Sequence, residues 1–246
     1  MSEEAGSPIG SNPSHSSYEK AVRCLAGIQI ASMDHVETLL SVGCFDQRLA
    51  VLRSHLVNAS SYLKDAVRQD NRPGSTSAEI HNLEETMAMV DDACVDLEDL
   101  HIPDSVIHND LNTGNILVDN DRAVLIDWAE ACIGIPFISF QHLRVQAKER
   151  GLSPIDLKQL TSIYKQSWNK CLSEAVIERS LALIPPVAII SYVLGRDPTF
   201  TSPYRTVPVV QNFARTLARY LMRAVQEPIF QKALRLHRKT ASFSCH

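Results

Sequence analysis

The sequence predicts a mainly α-helical protein of the α+β class, with one small β hairpin near its middle. Three observations carry this. Apolar residues recur at three- and four-residue steps over most of the chain. Two short apolar runs, 115–118 and 123–128, flank the turn sequence Asp119-Asn120-Asp121-Arg122. Helix punctuation stands where periodic segments stop, at Gly43, Pro103 and Ser153-Pro154.

Residues 1–17 are rich in Ser, Gly, Pro and Asn, have no apolar period, and are expected to be a disordered tail. The helical domain is expected over 18–240, with a short tail over 241–246. Val22, Leu25, Ile28, Met33, Val36, Leu39 and Leu40 mark one helix, which Gly43 can end. Leu49, Leu52, Leu56, Leu63 and Val67 mark a second, and Asn71-Arg72-Pro73-Gly74-Ser75 a loop. A third helix opens with Thr76 and Glu79 at capping-box spacing. Its apolar positions run from Ile80 to Leu97, too few heptads for a coiled coil, so it reads as an ordinary packed helix. Val106-Ile107 is a short apolar run before a polar loop, and the hairpin follows. Helices are then expected over 140–150, from Ser153-Pro154 onward, over 174–194 with a break at Pro185-Pro186, and from 209 onward with a break near Pro228.

The chain has 246 residues, 21% of them charged, and a formal net charge of -4. That balance argues against a nucleic-acid partner. Arg235, His237, Arg238 and Lys239 form the one basic cluster and read as cations at a helix C-terminus. Cys24, Cys44, Cys94, Cys132, Cys171 and Cys245 are scattered with no CxxC pair, which reads as free thiols. There is no N-terminal apolar segment of signal type. The longest apolar stretch, 181–194, is interrupted by the double proline and is short for a membrane span. The expectation is a cytoplasmic protein without membrane attachment.

The chemistry concentrates in residues 106–128. Two aspartates and an asparagine sit at the ends of short apolar strands joined by a tight turn. The hairpin brings Asn115 and Asp127 together, and both offer oxygen ligands of the kind Mg²⁺ prefers. Asp110, five residues before Asn115, is placed to accept a proton from a hydroxyl held near the metal. Trp128 reads as core or as a wall of the site. Tyr192, Tyr204 and Arg205 are candidates for a pocket lining and equally for packing. Glu130, Asp156 and Glu174 are candidate acidic walls for a cationic substrate.

This arrangement resembles the catalytic loop of kinases: His-x-Asp, then Asn, then a metal-binding Asp at the end of a nearby strand. Protein kinases place Phe-Gly after that last Asp. Here Ile126-Asp127-Trp128 is followed by Gly134 and Pro136. That form is similar to the aminoglycoside phosphotransferase and choline kinase group. The likeness runs from about 18 to about 220, and its specific part is 106–143. It implies a protein-kinase-like fold, of which this chain is the C-terminal lobe. It implies Asp110 as catalytic base and His108 as a brace for the loop. Asn115 and Asp127 would hold Mg²⁺ between the nucleotide phosphates, with Leu117 and Ile126 as part of the floor under the adenine. The implied cofactors are ATP or GTP and Mg²⁺, and the acceptor is a hydroxyl, less often an amine, of a small molecule.

The sequence also departs from the family pattern. Members often carry His where Asn112 stands and Asp where Ser139 stands. A serine there can replace one hydrogen bond but not the charge. Ahead of His108 the only lysines are Lys20 and Lys64, both in helical segments, and the glycines are isolated. No strand pattern precedes Tyr18. The expectation is therefore that the N-terminal β lobe is absent from this chain and is supplied by upstream sequence or by another chain. Two readings follow: a small-molecule kinase present as its catalytic-lobe fragment or truncated form, or a non-catalytic, pseudokinase-like binding or regulatory module.

Overall fold

A computed structural model describes residues 6–11, 13–69, 76–195 and 197–241, with side chains to 234 apart from that of Thr76. The expected loop at 71–75, the final residues 242–246 and the side chains of the C-terminal basic cluster lie outside the described residues. In chain order the elements are β1 (Ser7–Pro8), α1 (His15–Ser32), α2 (Val36–Ser41), β2 (Phe45–Asp46), α3 (Leu49–Ser54), α4 (Leu56–Arg68), α5 (Thr76–Glu98) and β3 (Ser105–His108). There follow β4 (Ile116–Val118), β5 (Ala123–Leu125), β6 (Ala131–Gly134), α6 (Phe137–Glu149), α7 (Pro154–Trp168), α8 (Glu174–Leu194), α9 (Pro208–Gln226) and α10 (Pro228–Ala241). These form two compact units, 1–48 with 102–178, and 49–101 with 179–246.

The first unit is built around α1. Ser14 caps it by accepting the Ser17 N–H at 3.2 Å, and Tyr18, Ala21, Val22, Leu25, Ala26 and Gln29 bury one face. That face lies against α7, β3 and the β4–β5 hairpin. The single helix expected to reach Leu40 is interrupted after Ser32. The Ser32 hydroxyl donates to the Gln29 carbonyl at 2.8 Å and accepts the Val106 N–H at 3.0 Å, and a 3-10 turn over Met33–His35 leads into α2. Gly43, at φ +102°, then ends the helical stretch as expected.

The α+β class holds, but the sheet content exceeds one hairpin. One sheet has the order β1-β4-β5, antiparallel, and the other the order β2-β6-β3, with β2 parallel and β3 antiparallel to β6. β1, β2 and β6 are two to four residues long, too short to show an alternating pattern. Over the described residues 6–11, β1 departs from the expectation of a disordered tail before residue 18. Ser7 pairs with Val118 and Pro8 with Leu117, and Ile9 is 1% exposed. Main-chain pairing and one buried isoleucine order this segment, and neither leaves a periodic signal. Gly6 is required by the close approach: at φ +94°, a Cβ there would lie 2.5 Å from the Val118 oxygen. Ahead of His108 the strands among the described residues are β1 and β2, of two residues each.

Downstream of β6, Phe137 and Phe140 on α6 meet Tyr164 and Trp168 on α7, all fully buried. The Phe140 and Tyr164 rings stack at 3.9 Å. The Tyr164 hydroxyl donates to Gln29 Oε1 at 2.7 Å, and Gln29 Nε2 donates to the Pro136 carbonyl at 2.7 Å. This relay joins α7, α1 and the entry to α6. The expected cap of α7 is a full capping box between Ser153 and Asp156.

In the second unit, α5 lies against α3, α4, α9 and α10. The helix expected over 49–67 divides between α3 and α4. The double proline does not divide α8. Pro185 and Pro186 deprive two carbonyls of their helical partners, yet Leu183, Ile184, Val187 and Ala188 are buried and hold the helix together. By length and composition α8 is long and apolar enough to cross a membrane, although most of its apolar window is buried within the protein. The Arg205 guanidinium donates to the Val193 and Leu194 carbonyls and so closes the C-terminus of α8.

Replacing Tyr164 by Phe leaves Gln29 Oε1 without its donor in a dry core. The expected loss is about 1–3 kcal/mol of unfolding free energy, measured by urea denaturation of the two proteins.

Candidate active site

Strand β3 is buried along its length and delivers His108 to the mouth of a polar loop. Its partner β6 pairs Ala131 with His108, which fixes where the loop begins. The loop is stapled by its own side chains. Asn112 Nδ2 donates to Asp110 Oδ1 at 3.1 Å, and Asn112 Oδ1 accepts the Gly114 N–H at 2.8 Å. The Asn112 and Asn115 N–H groups donate to the Asp110 and Asn112 carbonyls. Asn115 Nδ2 donates to the Asp110 carbonyl at 2.9 Å and to Asp110 Oδ2 at 3.1 Å. With its nitrogen so engaged, Asn115 has its Oδ1 left to act as a ligand.

Register places the rest. Ile116, Leu117 and Val118 pair with Leu125, Val124 and Ala123, and the Ile126 N–H donates to the Asn115 carbonyl at 3.0 Å. Asn115 therefore stands opposite Ile126, one residue from Asp127. Asn115, Leu117, Val124 and Ile126 share one face of the hairpin, while Ile116, Ala123 and Leu125 bury the other. The structure thus brings Asp110, Asn115 and Asp127 to one end of the hairpin, with Leu117 and Ile126 on the face that Asn115 occupies. Asp127 is exposed and adopts φ 60°, ψ 64°, a left-handed conformation that aspartate tolerates better than most residues.

His108 locks these parts together. Its Nε2 meets the Ile126 carbonyl at 2.8 Å and must be the donor, because a carbonyl has no proton to give. Its backbone N–H donates to the Ser139 hydroxyl at 2.9 Å, so the serine at the family's usual acid position accepts the one hydrogen bond expected of it. The imidazole lies 4.5 Å from the Trp128 ring, whose Nε1–H donates to the Leu125 carbonyl at 2.9 Å. Burial holds His108 below the usual imidazole range, and the smaller opposing effects are the Ile126 bond and the charges of Asp110 and Asp127. The ring is neutral at pH 7 and serves as a brace.

The donor set suits a hard cation: a carboxylate and an amide oxygen on residues that are exposed and half-buried respectively. Among the described residues no cluster of three His, Cys, Asp or Glu side chains forms a separate metal site. Three of the remaining candidates have structural partners. Asp156 closes the α7 capping box, Glu174 pairs with Lys165 at 3.0 Å, and Arg205 closes α8. Sequence reasoning missed two supports. Lys20 on α1 donates to the carbonyls of the hairpin turn, and the Gly10 N–H donates to the Thr113 carbonyl at 3.4 Å. Neither contact has a local signal, since each joins positions about a hundred residues apart.

Residues 1–140 match the Phosphotransferase enzyme family, APH. The chain belongs to this family. The match takes in the whole loop and hairpin of the candidate site, together with Ser139. No curated protein matches significantly. Among solved structures, a choline/ethanolamine kinase family protein from Mesorhizobium loti is 17% identical with a TM-score of 0.51, over 94% of this chain and 70% of that one. Plasmodium vivax ethanolamine kinase is 12% identical with a TM-score of 0.55, over 95% of this chain and 66% of that one. At these identities the likeness is one of fold, the kinase-like fold expected from the motif. This phosphotransferase chain spans about two thirds of the length of those proteins.

Two outcomes are expected from this geometry. Ser139→Ala strands a buried N–H at His108 and costs about 1–3 kcal/mol, read by denaturant unfolding. The unfolded chain takes up the His108 proton near pH 6.5 while the folded chain resists it. Stability therefore declines as pH falls below 6.5, and His108→Gln reduces that decline, measured by unfolding at pH 7.5 and 5.5.

Proposed function

We propose that this phosphotransferase chain carries the catalytic loop of a small-molecule kinase that transfers the γ-phosphoryl group of ATP or GTP to a hydroxyl. The observation that supports this most is the joint placement of Asp110, Asn115 and Asp127. Asp110 and the Asn115 amide are tied together, and Asp127 is one step away across the hairpin. Asp110 orients the acceptor hydroxyl and accepts its proton as the oxygen attacks the γ-phosphorus and the bond to the β-phosphate oxygen breaks. Asn115 and Asp127 hold Mg²⁺, which when bound offsets the negative charge of the phosphates. Leu117 and Ile126 support the base. The names of the structural neighbours support trying small amino alcohols first as acceptors. Free thiols at the described cysteines support a reducing compartment, the cytoplasm.

A second reading, a non-catalytic binding module, draws on one observation. Lys20 is engaged by the turn carbonyls and Lys64 by Glu84 at 2.7 Å, so neither lysine ahead of His108 is free to meet phosphates.

The test is transfer of labelled phosphate from Mg-ATP to small amino alcohols by the native chain and by Asp110→Asn. The kinase reading expects transfer that falls by roughly 10²–10⁴ in the variant. Mg-ATP binding without transfer in either protein would favour the binding module.

A further inference from the structure

We infer that Lys20 is a positioning residue for the metal-binding hairpin, an inference that rests on the phosphotransferase reading of Asn115 and Asp127. Each strand of this hairpin has three residues and the neighbouring β1 adds only the pairs Ser7–Val118 and Pro8–Leu117, so a sheet this small depends on what packs against it. The turn shapes itself. Asp119 donates its N–H to the Arg122 carbonyl at 3.1 Å, and Asp119 Oδ1 accepts the N–H groups of Asp121 and Arg122 at 2.9 and 2.8 Å. Those bonds fix the form of the turn but not its direction.

Direction comes from α1. Lys20 Nζ donates to the Asp119 carbonyl at 3.0 Å and to the Asn120 carbonyl at 2.8 Å. Two carbonyls converge on one ammonium, a compact charge with several donors. The helix that carries it is anchored by Tyr18, Ala21, Val22 and Leu25, all fully buried. At the opposite end of the hairpin the His108 ring holds the Ile126 carbonyl. The hairpin is thus fastened at both ends, by Lys20 at the turn and by His108 beside the metal ligands. Releasing the turn tilts strands only ~10 Å long, and the tilt reaches Asn115 and Asp127.

Amide hydrogen exchange on the full chain tests this in the native protein, Lys20→Met and Lys20→Arg. Methionine keeps the stem and removes the donors, while arginine keeps two donors and the charge. The expected result in Lys20→Met is exchange ~5-fold faster at both the Asp119 and the Ile126 amide. The Leu157 amide of α7 keeps its native rate, and Lys20→Arg restores the hairpin. The Mg-ATP dissociation constant rises in Lys20→Met and returns in Lys20→Arg. Unchanged exchange in the hairpin overturns the inference. So does acceleration at Asp119 without Ile126, which shows that the clamp does not reach the metal end, and so does acceleration that includes α7. Failure of the phosphotransferase reading looks different: no protein binds Mg-ATP, and the metal role of Lys20 falls with it, although exchange still reports the clamp.

Discussion

The bond from the His108 ring to the Ile126 carbonyl is the constraint on which the site depends. β3 and the β4–β5 hairpin belong to different sheets, so no ladder of main-chain bonds joins the end of one to the end of the other. A single imidazole does so instead. It can do this only with a proton on Nε2, and burial keeps the ring itself neutral. The same residue is held from the other side by Ser139 and covered by Trp128. Together with the bonds from the Asn115 amide to Asp110, this side chain sets the distance between the loop that carries Asp110 and the strand that carries Asp127.

Charge explains how the surrounding positions depart from the family pattern without losing the geometry. Ser139 is fully buried and accepts a neutral N–H, a task a hydroxyl performs without the desolvation cost of a buried carboxylate. Asn112 uses both ends of its amide to join the Asp110 side chain to the Gly114 backbone. The loop keeps its shape through short polar bonds, while the two carboxylates stay in contact with solvent, where they can meet a cation.

The loop and hairpin were legible because their information is local. From His108 to Asp127 the residue types, their spacing and one turn specify which segments meet, and the register puts Leu117 and Ile126 on one face. Long-range supports were not legible. Gln29, Tyr164 and Pro136 come together from three elements, and Lys20 reaches a turn about a hundred residues away. β1 is ordered by pairing with β4, a partner the sequence does not announce. Local chemistry also misled. Pro185 and Pro186 read as a break, but burial on both sides of them outweighs the missing donors. Asp156 and Arg205 looked available for a ligand, and each is occupied by a helix terminus.

The proposed function requires the open end of the hairpin to bind nucleotide through a metal held by Asn115 and Asp127. Calorimetric titration of the chain with Mg-ATP, beside Asp127→Ala, tests it most directly. The account predicts saturable binding by the native chain that weakens at least ~10-fold in the variant, a loss of about 1.4 kcal/mol. Equal binding by the two proteins would contradict it, because the nucleotide would then be held somewhere that owes nothing to Asp127.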